Sequence, residues 1–319
     1  MNYLKKISLV SILFFAFTSC SSDDDNAVVT QPQNIVEIAL ESPNLTSLVA
    51  ALTAADGDLV NILGGDGPFT VLAPTNEAFA AFLSANGFSN LEEVPTDVLS
   101  QILLNHVIMA NVTASDLTTT GAGYTNTSAS GPNNNAMSLY FNTSDGVTFN
   151  GVSTVTTADI VASNGTIHIV DAVINIPTVV TFAAADPSFS TLVTALTELT
   201  PATDFLSVLQ GDGPFTVFAP TNEAFIALPA IPEEEALTQV LLYHVVSGNV
   251  TSSDLTNPGE TTAETLQGDS ITITLPGTEG TIANVTDASG ASDIGIVAVD
   301  VQAGNGVIHV LNKVMIPNL

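Results

Sequence analysis

The chain has no tryptophan, no arginine and one cysteine, and its 3 lysines stand against 32 acidic residues, for a formal charge of −29 over 319 residues. Each scarcity excludes something. A single cysteine cannot close a disulfide within the chain, and it rules out any cysteine-rich metal cluster. Without clustered Lys and Arg there is nothing to displace counterions from a phosphate backbone, so nucleic acid is excluded as a partner. Anionic membrane surfaces are disfavoured for the same reason. The lack of tryptophan, with aromatics at only 6%, leaves few platforms on which sugar rings could stack. The partners that such a charge does permit are divalent cations, weakly held, neutral glycans and basic protein patches.

Two of the lysines, Lys5 and Lys6, precede the apolar run Ile7 to Phe17, which ends in Thr18-Ser19-Cys20. This is the basic, hydrophobic and small-residue layout of a secretory signal, and the run is shorter than the roughly 20 residues of a membrane span. Residues 1–19 are therefore expected to be a lipoprotein signal peptide, with Cys20 as the lipidated first residue of the mature chain. An ordinary signal followed by a free thiol is the lesser reading. Behind Cys20, Ser21-Ser22-Asp23-Asp24-Asp25 opens a polar stretch without apolar periodicity, so residues 20–33 are expected to form an acidic disordered tether. The Ser-Asp tract resembles the acidic export signal of lipoproteins sent to the outer face of the outer membrane. Surface display through a lipid anchor is the localisation it implies.

Everything after the tether is organised by a duplication. GDGPFTVLAPTNEAFAAF at Gly65 to Phe82 recurs as GDGPFTVFAPTNEAFIAL at Gly211 to Leu228. LLNHVIMANVTASDL at Leu103 to Leu117 recurs as LLYHVVSGNVTSSDL at Leu241 to Leu255, and NGTIHIVDAV at Asn164 to Val173 as NGVIHVLNKV at Asn305 to Val314. Matches in one order at nearly constant displacement mean two copies of one domain, each about 140 residues long, and not a short-period solenoid. The copies span residues 34–177 and 178–319, closing on Pro177 and Pro317. No Gly/Ser-rich spacer separates them, so a fixed tandem is expected.

Within a copy, Leu45, Leu48, Val49 and Leu52 fall at helical spacing, as do Leu192, Val193 and Leu196 in the second copy. Gly65 to Pro68 supplies a turn, Phe69 to Leu72 a β-run, and Pro74-Thr75-Asn76-Glu77 a helix start with a capping hydroxyl. Ala78, Phe79 and Phe82 form that helix's apolar stripe. A further helix, Val98 to Leu104, leads into His106. Strands are expected at Met137 to Phe141, Val147 to Phe149, Val152 to Ile160 and Thr166 to Ile174. Helices in the first half and strands in the second predict an α+β domain with a mostly antiparallel sheet partly covered by helices, without βαβ alternation.

The blocks FTVLAPTNEAF, LLNHVI and NGTIHIVDAV, with their second-copy partners, resemble the signature segments of fasciclin-like domains, in order and twice over. That resemblance implies a wedge-shaped fold. It also implies cell adhesion, matrix organisation and binding of cell-surface or matrix proteins or glycans, with the central Tyr-His element as the candidate adhesion motif. In this chain the motif positions are Tyr243 and His244 in the second copy and Asn105 and His106 in the first. The exchange of Tyr for Asn favours the second copy as the one that binds. No Arg-Gly-Asp tripeptide occurs.

All four histidines, His106, His168, His244 and His309, occupy equivalent places within apolar segments. A buried imidazole bridging helix and strand explains this better than a metal or catalytic role, since zinc wants three or four ligands. No H-E-x-x-H, G-x-S-x-G or Walker loop occurs, so no enzyme activity and no cofactor is expected. Asp287 to Asp293 reads as a solvated loop ahead of a calcium site. The function reading is a non-enzymatic, lipid-anchored adhesion module. Its alternative is a surface glycan or small-ligand binding lipoprotein serving an outer-membrane importer. Such dense carboxylates repel one another, so added NaCl or divalent ions should raise the melting temperature; a midpoint indifferent to ionic strength would contradict this.

Overall fold

The computed structural model describes residues 32–319; Cys20, the signal segment and nearly all of the tether lie outside the described residues. In the first domain three short helices, α1 (Ile35–Glu41), α2 (Thr46–Ala54) and α3 (Leu59–Gly64), lead into strand β1 (Phe69–Pro74). Then come α4 (Asn76–Ala85), α5 (Thr96–Leu104), β2 (Val107–Ile108), α6 (Ala114–Thr120) and β3 (Ala122–Ser130). Strands β4 (Ala136–Asn142), β5 (Thr148–Phe149), β6 (Ser153–Ala162) and β7 (Gly165–Val170) complete it. The capping hydroxyl read in the sequence is in place: Thr75 Oγ1 accepts from the Ala78 amide at 3.2 Å. Ala78, Phe79 and Phe82 are buried as the stripe required.

The sheet runs β2-β1-β7-β6-β5-β4-β3. Its pairs are antiparallel except the second from the β2 edge, where β1 lies parallel to β7 in the register Phe69↔Gly165 to Pro74↔Val170. No βαβ repeat announces that pair, because the chain between the two strands carries most of the domain. The signal is instead in β1 itself, a near-continuous apolar run whose six residues are all buried, as strands covered on both faces are. Val71 and Ala73 face the cluster formed with the helices, whereas Leu72 faces a second cluster with Ile108, Leu139, Phe149 and Ile174. Strand β7 stops at Val170, short of the expected Ile174. The Ile174 amide leaves the sheet and donates to the His106 ring instead.

The second domain repeats the plan with α7 (Val179–Ala185), α8 (Ser190–Thr197), α9 (Phe205–Leu209), β8 (Phe215–Pro220), α10 (Asn222–Ile226) and α11 (Glu234–Tyr243). Strands β9 (Val245–Ser247), β10 (Gly259–Glu264), β11 (Ser270–Leu275), β12 (Ala283–Thr286), β13 (Ile294–Ala303) and β14 (Gly306–Leu311) follow. The order is β10-β11-β12-β13-β14-β8-β9, again with one parallel pair, β14 with β8. Both sheets curl until their ends meet: Ser128 Oγ donates to the Val107 carbonyl in the first domain, and the Leu266 amide to Val245 in the second.

The domains are joined by a shared core. Tyr140 of β4 packs into the helix-side cluster of the second domain beside Phe182. Tyr124 lies 5.1 Å from the Tyr140 ring and 5.6 Å from Phe182, and its hydroxyl donates to Asp186 Oδ2 at 3.0 Å. The Gln302 amide donates to Ser138 Oγ, and the Gly304 amide to the Pro177 carbonyl at 2.7 Å.

At the parallel junction the backbones leave no room for a side chain. A Cβ on Gly165 would stand 2.0 Å from the Phe69 carbonyl oxygen, and one on Gly306 2.2 Å from that of Phe215, whereas nothing lies within 4 Å of one on Gly64. Gly165→Ala and Gly306→Ala should each cost about 1–3 kcal/mol or more, as overpacking does, seen as a lower urea midpoint, with Gly64→Ala near neutral. Equal midpoints for all three variants would refute the close approach.

Candidate functional site

The sequence directs attention to the ends of α5 and α11, where the motif pairs sit. His106 is 2% exposed and His244 3%. His106 Nδ1 is 2.7 Å from the Ile102 carbonyl, one turn back on its own helix, and its Nε2 accepts from the Ile174 amide at 2.9 Å. His244 repeats this with Val240 at 2.7 Å and Met315 at 3.0 Å. A carbonyl demands a donor and an N–H demands an acceptor, so each ring is neutral and carries its proton on Nδ1. Each ring ties its helix to the chain that leaves the central strand. Burial pushes both imidazoles down to about 4, against the helix carbonyls, which favour the charged form; Asp287 acts in the same opposing direction on His244.

His168 and His309 use the opposite tautomer. Nε2 of His168 donates to the Val112 carbonyl at 2.9 Å, and Nε2 of His309 to that of Val250 at 2.9 Å. Their Nδ1 atoms accept from the amides of Asp159 and Asp300. Those aspartates sit at φ 59° and 60°, where β6 and β13 bulge. Asp159 Oδ1 in turn accepts from the Ala114 amide, and Asp300 Oδ1 from that of Ser252. Histidine and aspartate together hold each bulge against the segment after the short edge strand. Burial lowers His309 as well.

Asn105 and Tyr243, the pair that distinguishes the copies, are both fully buried. The Asn105 amide donates to the Asn175 carbonyl at 3.1 Å and its oxygen accepts from Thr127. The Tyr243 hydroxyl reaches further. It donates to the Ser270 carbonyl at 3.1 Å and accepts from the Ala288 amide at 2.8 Å. Burial raises this phenol to about 12, helped by Asp287 and Asp269.

The loop above Tyr243 is more ordered than the sequence suggested. Asp287 is 6% exposed; its Oδ1 accepts from the Ser289 and Ala291 amides at 3.0 Å, and its Oδ2 from the Ile316 amide at 2.9 Å. The carboxylate clamps the loop and is not solvated. Among the described residues, no group of three or more His, Cys, Asp or Glu is placed to hold a metal ion.

Four motif asparagines that the sequence reading passed over are as structural as the histidines. Asn76 and Asn222 accept from the Ser47 and Thr191 amides at 2.8 Å and donate to the Pro43 and Pro187 carbonyls. Asn164 and Asn305 accept from the Ile35 and Val179 amides and donate to Leu63 and Leu209. Their repetition at equivalent places in both copies was the available signal.

This arrangement matches a known family. The fasciclin domain model matches residues 43–177 and again 187–317, and the chain belongs to that family, with two domains in tandem. It is similar to protein sll1483 of Synechocystis, 38% identical over 148 residues, 44% of this chain and 73% of the relative. It is 32% identical over 146 residues to the cell surface glycolipoprotein MPB83 of Mycobacterium bovis, 44% of this chain and 60% of the relative. In fold it is similar to a FAS1 domain pair from the insect cell adhesion molecule Fasciclin I. That match has TM-score 0.50 and 21% identity, and covers 86% of this chain and 97% of that one. The relatives it matches in sequence thus include a cell-surface glycolipoprotein.

The buried histidines give stability a pH dependence of known sign. Above pH 6.5 His106 and His244 are neutral in both states; below it the unfolded chain takes up protons that the folded chain refuses until about 4. Folding should weaken by roughly 1.4 kcal/mol per pH unit for each ring in that window. Denaturation at pH 7 and at pH 5 measures the loss, to which the buried His309 adds in the same direction, and equal stabilities would contradict it. Tyr243→Phe orphans the Ala288 amide and should cost about 1–3 kcal/mol, measured by the same unfolding curve.

Proposed function

We propose that this chain is a non-catalytic adhesion module, held by a lipid on Cys20 at the outer face of the outer membrane. Its partners are cell-surface or matrix proteins or glycans. The observation that carries this reading is the joining of two fasciclin domains through a shared core around Tyr124, Tyr140 and Phe182. Such a pair presents its surfaces at fixed spacing, which suits a load-bearing contact. Kinship with a surface glycolipoprotein and likeness in fold to an adhesion molecule point the same way. The motif residues are buried, so they act by positioning. Tyr243 supports the Asp287 to Asp293 loop from beneath, and Asn105 makes no equivalent reach, which favours the second domain as the one that binds.

The test is attachment by cells lacking the gene. Adhesion to matrix protein, glycan surfaces and sister cells should fall and return with the wild-type gene. Cys20→Ser should leave the protein in the soluble fraction and fail to restore adhesion, and Tyr243→Ala should restore it only weakly. Unchanged adhesion on all three surfaces would sink the proposal.

A further inference from the structure

We propose that the second domain binds a small neutral hydrocarbon group, an aryl ring or the end of an alkyl chain, in a cavity between α7, α8, α9 and the sheet. The cavity measures about 130 Å³, and its walls include Val179, Val180, Leu192, Leu206 and Val217. Apart from the Thr197 hydroxyl, the side chains lining it are apolar. A buried water needs two to four polar partners, which this lining does not offer, and an apolar void of about 150 Å³ in another protein stays dry and takes up benzene. A ring or a short chain end therefore fits in size and in chemistry.

The opening is a property of the second copy. Along the duplicated sequence Val179 stands where the first copy has the buried Ile35, and Ala184 where it has Leu40, which is itself exposed. The connection from α8 to α9, Glu198 to Asp204, is longer than Ala55 to Asp58, its counterpart between α2 and α3. The longer connection lets the helices stand apart. Ala183 is half-buried, whereas its counterpart Ala39 is only 4% exposed. The protein's formal charge of −29 selects against an anionic head group on whatever carries the hydrocarbon. The inference rests on the cavity alone and does not depend on adhesion.

Detergent would compete for the cavity, so the experiment uses the full mature chain as its unlipidated Cys20→Ser form. Benzene and 1-hexanol are titrated while methyl NMR signals are followed, with hexanoate as the charged counterpart of hexanol. Saturable shifts are expected at Val179, Leu192 and Leu206, at least tenfold weaker for hexanoate than for hexanol. Two variants fill the space from its walls: Ala183→Leu and Val180→Phe. Each should weaken benzene binding at least tenfold without lowering the melting temperature. No saturable shift with either neutral probe, shifts confined to other methyls, or undiminished binding in whichever filled variants fold would overturn the proposal.

Discussion

A neutral imidazole that donates from one nitrogen and accepts at the other is the constraint on which the rest of each domain depends. His106 and His244 join the last turn of a helix to the segment that leaves the central parallel strand. Neither partner is a side chain, so both sides of the bridge are fixed backbone. A protonated ring would set N–H against N–H at a buried site, and burial itself outweighs the favourable helix carbonyl. His168 and His309 lie within β7 and β14, opposite Leu72 and Phe218, and with the reverse tautomer hold the neighbouring bulges against the segments that follow the short edge strands. Beside these bridges β1 and β7, or β8 and β14, run parallel, with glycine where the backbones touch.

Much of this was legible in sequence because the duplication repeats whatever the fold requires. The helix start at Thr75, the stripe of Ala78, Phe79 and Phe82, the antiparallel half and the architectural role of the histidines follow from spacing and composition. The parallel pairing did not, since it joins strands about a hundred residues apart and no local pattern records such a contact. Helix α6 was missed because ASDLTTT has little apolar periodicity and rests on the Thr113–Asp116 capping box. Strand β3, AGYTNTSAS, lacks alternating apolar residues because its pairing with β4 is carried largely by backbone.

The burial of Asn105 and Tyr243 was not legible in the sequence. Asn105, His106, Tyr243 and His244 stand at the helix ends, and a sequence does not reveal which side of a helix terminus faces the sheet. Buried as they are, these residues set the surface above them. The copies differ where the fold tolerates difference: one phenol that reaches a loop, and one helical layer that stands open. Two domains of one ancestry are thereby fused through Tyr140 and Phe182 into a single body with unlike ends.

The most direct measurement is the tautomeric state of the four imidazoles, read from their ring nitrogen shifts by NMR. His106 and His244 should carry the proton on Nδ1, and His168 and His309 on Nε2, each as a single tautomer. His106 and His244 should not titrate between pH 7 and pH 5. Rapidly averaged tautomers, one tautomer shared by all four rings, or titration of His106 and His244 near 6.5 would contradict the account.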